Sequence, residues 1–329
     1  MVKVALIGCG TMGRVHCGGY KKISGVQLVA VCDLDSAKME ALNLEDSTRR
    51  YLSFEEMMAQ EEFDILDICL PTYLHKEYAV QAMRAKKHVF CEKPIALTNE
   101  DAQAMIDCAR ENGVKFSVGQ VLRFFPMYAN AAQQAKMGRL GVPRLIRTTR
   151  NQGFPQWSWQ NWYQDYGKSG GPIVDLAIHD IDWIIGSFGR VKRVYAKAFC
   201  GKVEQQDHCM ITLRLENGAI AHVEASWAYP KGSVFRTTFE IVGTNAQIEY
   251  DSVANAPIHY QTFADGAHQD TYLSPVHGTL EPYCAELLAF VQSVENDTPL
   301  LVTGEEAAET LRVALAALES AQTGEPIEL

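Results

Sequence analysis

The chain has 329 residues, of which 47% are hydrophobic and 21% charged, and its formal net charge is −10. That length exceeds one ordinary core and suits two domains. No stretch approaches the ~20 apolar residues that span a bilayer, and the acidic balance argues against a nucleic-acid partner, which would need a basic face.

In chain order, the first third alternates short apolar runs with helical patterns. Strands are predicted at 2–7, 26–32, 63–70, 87–91 and 115–118, and helices near 12–23, 36–42, 53–60, 74–85 and 99–112. Such alternation implies right-handed crossovers and a parallel sheet. The texture changes after residue 121. A helix near 127–137 and a strand near 143–150 lead into a loop rich in Trp and Tyr, then a helix near 173–187. Strands follow at 191–199, 208–215, 218–228, 234–243 and 246–250, with Asn217-Gly218 as a hairpin signal, and two helices near 281–295 and 304–320 close the chain. The expected class is α/β: a Rossmann dinucleotide-binding domain over 1–121, then an α+β domain over 122–329 with a large, mainly antiparallel open sheet. Helices should cover one face of that sheet, and self-association the other.

Nine cysteines (Cys9, Cys17, Cys32, Cys69, Cys91, Cys108, Cys200, Cys209 and Cys284) form no C-x-x-C pair. Several lie in apolar strand patterns, so they read as reduced core thiols. The chain starts directly on a strand pattern without the features of a signal peptide, and a cytoplasmic location is expected.

Gly8-Cys9-Gly10-Thr11-Met12-Gly13 fits G-x-G-x-x-G. The hexamer alone is a weak signal. Here it follows a strand, opens a helix and precedes a second strand ending in Asp33, about 20 residues on, as the fingerprint requires. The first glycine serves the tight turn, the second lets backbone approach the pyrophosphate, and the third lets helix pack on strand. The pyrophosphate is expected at the helix N-terminus. Asp33 should bind the adenosine ribose; Asp35 adds negative charge and no Arg stands at 34–36, so NAD is preferred over NADP.

In an open parallel sheet, ligands lie past the carboxyl ends of the strands. That adds Leu70-Pro71-Thr72, His75, Glu92-Lys93-Pro94 and Gln120 to the cofactor-side residues. For Thr72, capping of the following helix is as good a reading as cofactor contact. Lys93 beside a positively charged nicotinamide should have a lowered pKa and could exchange a proton with a substrate hydroxyl, although a surface lysine at a turn is the plain alternative. After Gly170-Gly171-Pro172, a mostly apolar helix carries Asp175, His179 and Asp182 at i, i+4 and i+7. An Asp beside a His suits a general base for an alcohol proton, and a buried ion network is the competing reading. No third ligand has recognisable metal spacing, so no metal is expected. The aromatic segment Phe154 to Tyr166 suits the C–H faces of a pyranose or cyclitol, or equally a packing patch.

Together these motifs resemble the glucose-fructose oxidoreductase, inositol dehydrogenase and rhizopine-catabolism (Gfo/Idh/MocA) family. The resemblance rests on Gly8-x-Gly10-x-x-Gly13, Pro71-Thr72-x-x-His75, Glu92-Lys93-Pro94 and Gly170-Gly171-x-x-x-Asp175-x-x-x-His179, in order and at matching spacing. It implies Lys93, Asp175 and His179 as the catalytic set, with His179 the proton acceptor, Asp175 its support and Lys93 on the reacting hydroxyl. It also implies substrate contacts at Arg123, Asn151, Trp162 and Tyr283, and a homodimer or homotetramer. The expected activity is NAD-dependent oxidation of a secondary alcohol on a free sugar or cyclitol. The alternatives are a glycosidase with transient oxidation and a catalytically silent NAD-binding regulator.

Overall fold

The computed structural model describes residues 1–199, 207–254, 258–264, 267–273 and 280–329. Two compact units emerge, one of Met1–Val121 with Leu280–Glu309, the other of Leu122–Thr279 with Thr310–Leu329.

The first unit runs β1 (Val2–Ile7), α1 (Thr11–Tyr20), β2 (Val26–Cys32), α2 (Ser36–Glu40), β3 (Arg49–Tyr51), α3 (Phe54–Gln60), β4 (Ile65–Ile68), α4 (His75–Arg84), β5 (His88–Cys91), α5 (Asn99–Asn112) and β6 (Phe116–Val118). Its sheet has the order β3-β2-β1-β4-β5-β6, and every pair is parallel. Burial on both faces explains the near-continuous apolar runs of β1 and β4. The three-residue β3, Arg-Arg-Tyr, is too short and polar to show a strand period.

The second unit runs α6 (Pro126–Lys136), β7 (Pro143–Gly153), α7 (Tyr166–Ser169), α8 (Ile178–Phe188), β8 (Val191–Phe199), β9 (His208–Leu215), β10 (Ile220–Tyr229), β11 (Arg236–Gly243), β12 (Ala246–Asp251), β13 (Ile258–Ala264), β14 (Ala267–Leu273) and, at the terminus, β15 (Ile327–Glu328). Among the described residues these strands form one sheet, ordered β14-β13-β12-β11-β7-β10-β9-β8-β15. It is antiparallel except where β7 pairs parallel with β10. That exception follows from the long crossover through α8, β8 and β9. Strands β13 and β14 are absent from the sequence-based expectation because their mixed polar sequences carry no clean alternation.

Helices α9 (Pro282–Glu295) and α10 (Gly304–Thr323) complete the chain. The first unit ends its opening stretch at Val121, and Leu280–Glu309 groups with it rather than with the second unit. The physical reason is the stripe Cys284, Leu287 and Val291 on α9. With Phe290 it shares a core with Val2, Val4, Ile65, Phe90 and Tyr20. Fully burying each large member is worth about 1.5–3 kcal/mol.

Eight cysteines are free thiols; Cys200 lies outside the described residues. Among the described residues, no helix is long and apolar enough to cross a membrane.

Candidate active site

At the carboxyl edge of the parallel sheet, the loop after β1 forms an anion cradle. Gly8 has φ +94°, and a Cβ there would collide with the Cys69 carbonyl. A Cβ on Gly13 would strike the Gly8 carbonyl, whereas one on Gly10 would meet nothing within 4 Å. The loop is therefore closed toward the protein and open at Gly10, where a ligand backbone can approach. Thr11 and Met12 open α1, which no side chain caps and no acid crowds, so its first N–H groups and dipole face outward.

Asp33 stands at the end of β2 in a fixed orientation. Its Oδ2 accepts from Cys9 N–H at 2.8 Å and its Oδ1 from Asp35 N–H at 2.9 Å. Lys38 Nζ lies 3.8 Å from Asp33 Oδ1, a cation beside that carboxylate. Sequence reasoning confined to 34–36 misses it. Past β6, Gln120 is 1% exposed, and neither its Oε1 nor its Nε2 has a hydrogen-bond partner. A buried orphan amide of this kind awaits a ligand. The open glycine, the uncapped helix, the preset carboxylate and the orphan amide all fit a dinucleotide.

Between these lie the turns after β4 and β5. Thr72 is buried and opens a 3-10 turn without a side-chain cap, so it does not cap the next helix. His75 is fully buried, with Nδ1 2.8 Å from Pro94 O and Nε2 2.9 Å from Leu70 O. Burial pushes its pKa below the ordinary imidazole value. Both neighbours are carbonyl acceptors and a neutral ring carries one N–H, so His75 clasps the Leu70-Pro71 loop to the Lys93-Pro94 turn by one hydrogen bond and one close contact. Lys93 is half-buried, joined to Pro94 by a cis peptide, and its N–H donates to Glu92 Oε2 at 3.1 Å.

In the second unit the predicted continuous helix is interrupted. Gly170 and Gly171, both at positive φ, lead into a π-helical turn, Pro172–Leu176, and α8 starts only at Ile178. Such turns recur at functional sites because they re-aim a side chain. Asp175 sits in the π turn and is buried; His179 is half-buried in the first turn of α8. Asp182, expected on their stripe, instead accepts from Arg123, with Nε to Oδ2 and Nη2 to Oδ1 both at 2.7 Å, and from Thr310 Oγ1 at 3.2 Å. Arg123 thereby grips Asp182 as a two-pronged fork. Asp180 is bound in the same way by Arg150, with Nε to Oδ2 at 2.7 Å.

Asn151 on β7 donates to Glu224 Oε1 at 3.1 Å and Tyr229 Oη at 3.2 Å, leaving its buried Oδ1 unpartnered. Trp162 stacks on Tyr163 with centroids 4.2 Å apart, and Tyr163 meets the fully buried Trp227 edge-on at 5.6 Å. Much of the aromatic loop is therefore packed on itself, while Trp157 and Trp159 stay exposed. Tyr283 lies in the first turn of α9, in the other unit. The residues that sequence reasoning misses altogether are His16, Asp67 and Glu286, all buried in the first unit. Each is an ionisable group in an otherwise apolar pattern, and that anomaly is the available signal.

The fold and the cradle together define a dinucleotide-binding enzyme of the Rossmann type. The profile of the oxidoreductase family with an NAD-binding Rossmann fold (Gfo/Idh/MocA) matches residues 2–120, and that of the family's C-terminal alpha/beta domain matches 132–329. The chain belongs to this family, in agreement with its four motifs, and it is an NAD-dependent oxidoreductase. It is 28% identical over 338 residues to the NAD+-dependent scyllo-inositol 2-dehydrogenase of Bacillus subtilis, covering 100% of this chain and 96% of that protein. It is 26% identical over 343 residues to the myo-inositol 2-dehydrogenase of Thermotoga maritima, covering 100% and 98%. In fold it is similar to levoglucosan dehydrogenase solved with NADH and levoglucosan, with a TM-score of 0.88 at 22% identity over 100% of this chain and 99% of that one.

Proposed function

We propose that the chain oxidises a secondary alcohol of a free sugar or cyclitol. Bound NAD+ supplies the hydride acceptor. His179 takes the hydroxyl proton, Asp175 orients its ring, and Lys93 donates a hydrogen bond to the reacting oxygen. Asn151, Trp162 and Tyr283 contribute substrate contacts. The observation that carries this reading is the array along one sheet edge: glycine cradle after β1, Leu70-Pro71-Thr72 after β4, the Glu92-Lys93-Pro94 turn after β5, Gln120 after β6. It puts the lysine turn on the same sheet edge as the glycine cradle, which supports a role for Lys93 beside the cofactor.

The inositol substrates of the two relatives support a neutral polyol. So do Arg123 and Arg150, each already neutralised by a carboxylate rather than arrayed for a diphosphate. The test is a panel of inositols, aldoses, levoglucosan and one nucleotide sugar with NAD+, read at the NADH absorbance band. NADH formation from a neutral polyol is expected; turnover of the nucleotide sugar alone would overturn the substrate class.

Asp33 is the proposed ribose ligand and the source of NAD preference. Asp33→Ala should raise the NAD+ Kd about 10–100-fold, the worth of ~1.5–3 kcal/mol of charge-assisted hydrogen bonding. With the carboxylate gone, Lys38 remains to meet a 2′-phosphate, so the variant should gain relative affinity for NADP+. Fluorescence titration with NADH and NADPH checks both statements, and unchanged constants would remove Asp33 from the site.

The enzyme is further proposed to be a cytoplasmic homodimer or homotetramer. Tyr195, Phe199 and Met210 are exposed on one face of the β8–β9 pair, an apolar patch that a second copy would cover. Sedimentation velocity would refute this by finding a monomer.

A further inference from the structure

Four ionisable side chains from four elements meet inside the first unit. His16 on α1 is fully buried, and its Nδ1 lies 2.8 Å from Asp67 Oδ2 in the middle of β4. On its other side, Nε2 lies 3.1 Å from Glu92 Oε1, an ion-pair contact outside hydrogen-bond geometry. Glu286, from α9, is 2% exposed, and neither of its carboxyl oxygens has a hydrogen-bond partner. A carboxyl oxygen of Glu286 lies within 4.8 Å of ligand atoms of both His16 and Glu92. Cys69 adds its thiol at 3.2 Å from His16 Nδ1 and 3.5 Å from Asp67 Oδ1. Tyr20 and Cys17, also on α1, are buried beside the cluster and feel the Asp67 charge.

Burying such a row costs several kcal/mol unless each charge is paired, and an apolar replacement would serve packing as well or better. The cluster therefore does something that packing does not need. Its charges can be assigned. Burial opposes the imidazolium of His16, but Asp67 and Cys69 beside it together outweigh this and raise the pKa. Burial likewise opposes ionisation of Glu92, yet the close contact with His16 and its charge hold its pKa below the ordinary value. Burial, reinforced by Glu92, pushes the Glu286 carboxyl well up, so Glu286 is the neutral acid of the group.

We propose that His16 is a positioning residue for Lys93: its imidazolium bridges Asp67 and Glu92, and the Glu92 carboxylate so held receives the Lys93 backbone N–H. The relay ties α1, whose N-terminus faces the dinucleotide, to the turn that bears the lysine. Glu286 closes the pocket as an uncharged acid, which leaves the imidazolium a single carboxylate on each side. The inference rests on the reading of Lys93 as a proton-handling residue. A turn displaced by 1 Å can cost about 10²-fold in rate even when the change is remote from the chemistry.

The test uses the full-length enzyme with NAD+. In a ¹⁵N-histidine-labelled sample saturated with NADH, both ring nitrogens of His16, assigned by loss of the signal in His16→Asn, should stay in the imidazolium range from about pH 6 to 9. A neutral or freely titrating ring overturns the relay. So does one equivalent of tightly bound divalent metal by elemental analysis, because His16, Glu92 and Glu286 could instead be its ligands and the ring would then be neutral. With the best polyol of the panel, His16→Asn should lower kcat about 10–100-fold, with KM for NAD+ changed less than about threefold, and shift the pH profile of kcat. A merely structural role would lower the melting temperature and leave kcat per folded molecule unchanged, which also overturns the relay. If His16→Asn fails to fold, Glu92→Gln carries the same expectation. The labelled sample needs no substrate, so it decides the relay even if the panel yields no NADH. A fully active Lys93→Ala would instead refute the reading on which the relay rests.

Discussion

Lys93→Ala should lower kcat by about 10²–10⁴-fold, the scale of a lost general acid–base group. The NAD+ Kd should move by less than about threefold, or ~0.7 kcal/mol, since the cradle, Asp33 and Gln120 remain. The main chain at 93 is already held, by Glu92 on its N–H and by the His75 clasp on the following carbonyl. Removing the side chain therefore takes away the ammonium group rather than the turn. His179→Ala should fall in the same range. Because both groups are read as acting on one hydroxyl, the double variant should be little slower than either single one. Steady-state kinetics on the polyol identified by the panel check this. Two fully active single variants, or strictly multiplicative losses, would show that the roles are assigned wrongly.

The first half of this site is legible in the sequence because its signal is local. A glycine loop between a strand and a helix, with an acid at the end of the next strand, is a contiguous pattern whose geometry is dictated by backbone sterics. The Rossmann strands are legible for the same reason, β3 excepted. The second unit gives up less. Its helix at 173–187 shows the right residues, but the π turn at Pro172–Leu176 changes the phase between Asp175 and His179, and no periodicity reveals an inserted residue.

What stays hidden in the sequence is pairing across long separations. Arg123 with Asp182 and Arg150 with Asp180 are separated by 59 and 30 residues. His16 meets Asp67 across 51 residues. Each partner alone looks like an isolated charge in an apolar run, and only the fold says which two meet. The return of α9 to the first unit is hidden likewise, since an apolar stripe states that a helix face is buried but not against what.

The same pairing sets the largest expected effect on stability. Arg150 on β7 is 5% exposed and Asp180 is fully buried, one residue after His179. Asp180→Ala would remove the carboxylate that grips a buried guanidinium, at a cost of about 3–5 kcal/mol. That is a large share of the ~5–15 kcal/mol that holds a typical domain together. The aromatic face of Phe235, 5.8 Å from the Arg150 guanidinium, offsets little of it. By contrast, Arg236 and Asp251 make a 2.6 Å pair at the surface, where water screens both, and Arg236→Ala should cost no more than about 1 kcal/mol. Replacing both buried partners, as in Arg150→Met with Asp180→Leu, should recover most of the loss, because no stranded charge remains. Urea midpoints of the four proteins give the comparison directly, and equal shifts for Asp180→Ala and Arg236→Ala would exclude the buried pair as an anchor. If the double variant regains stability but not turnover, then the Arg150–Asp180 fork also sets the rotation of α8, and with it the direction in which His179 presents its ring.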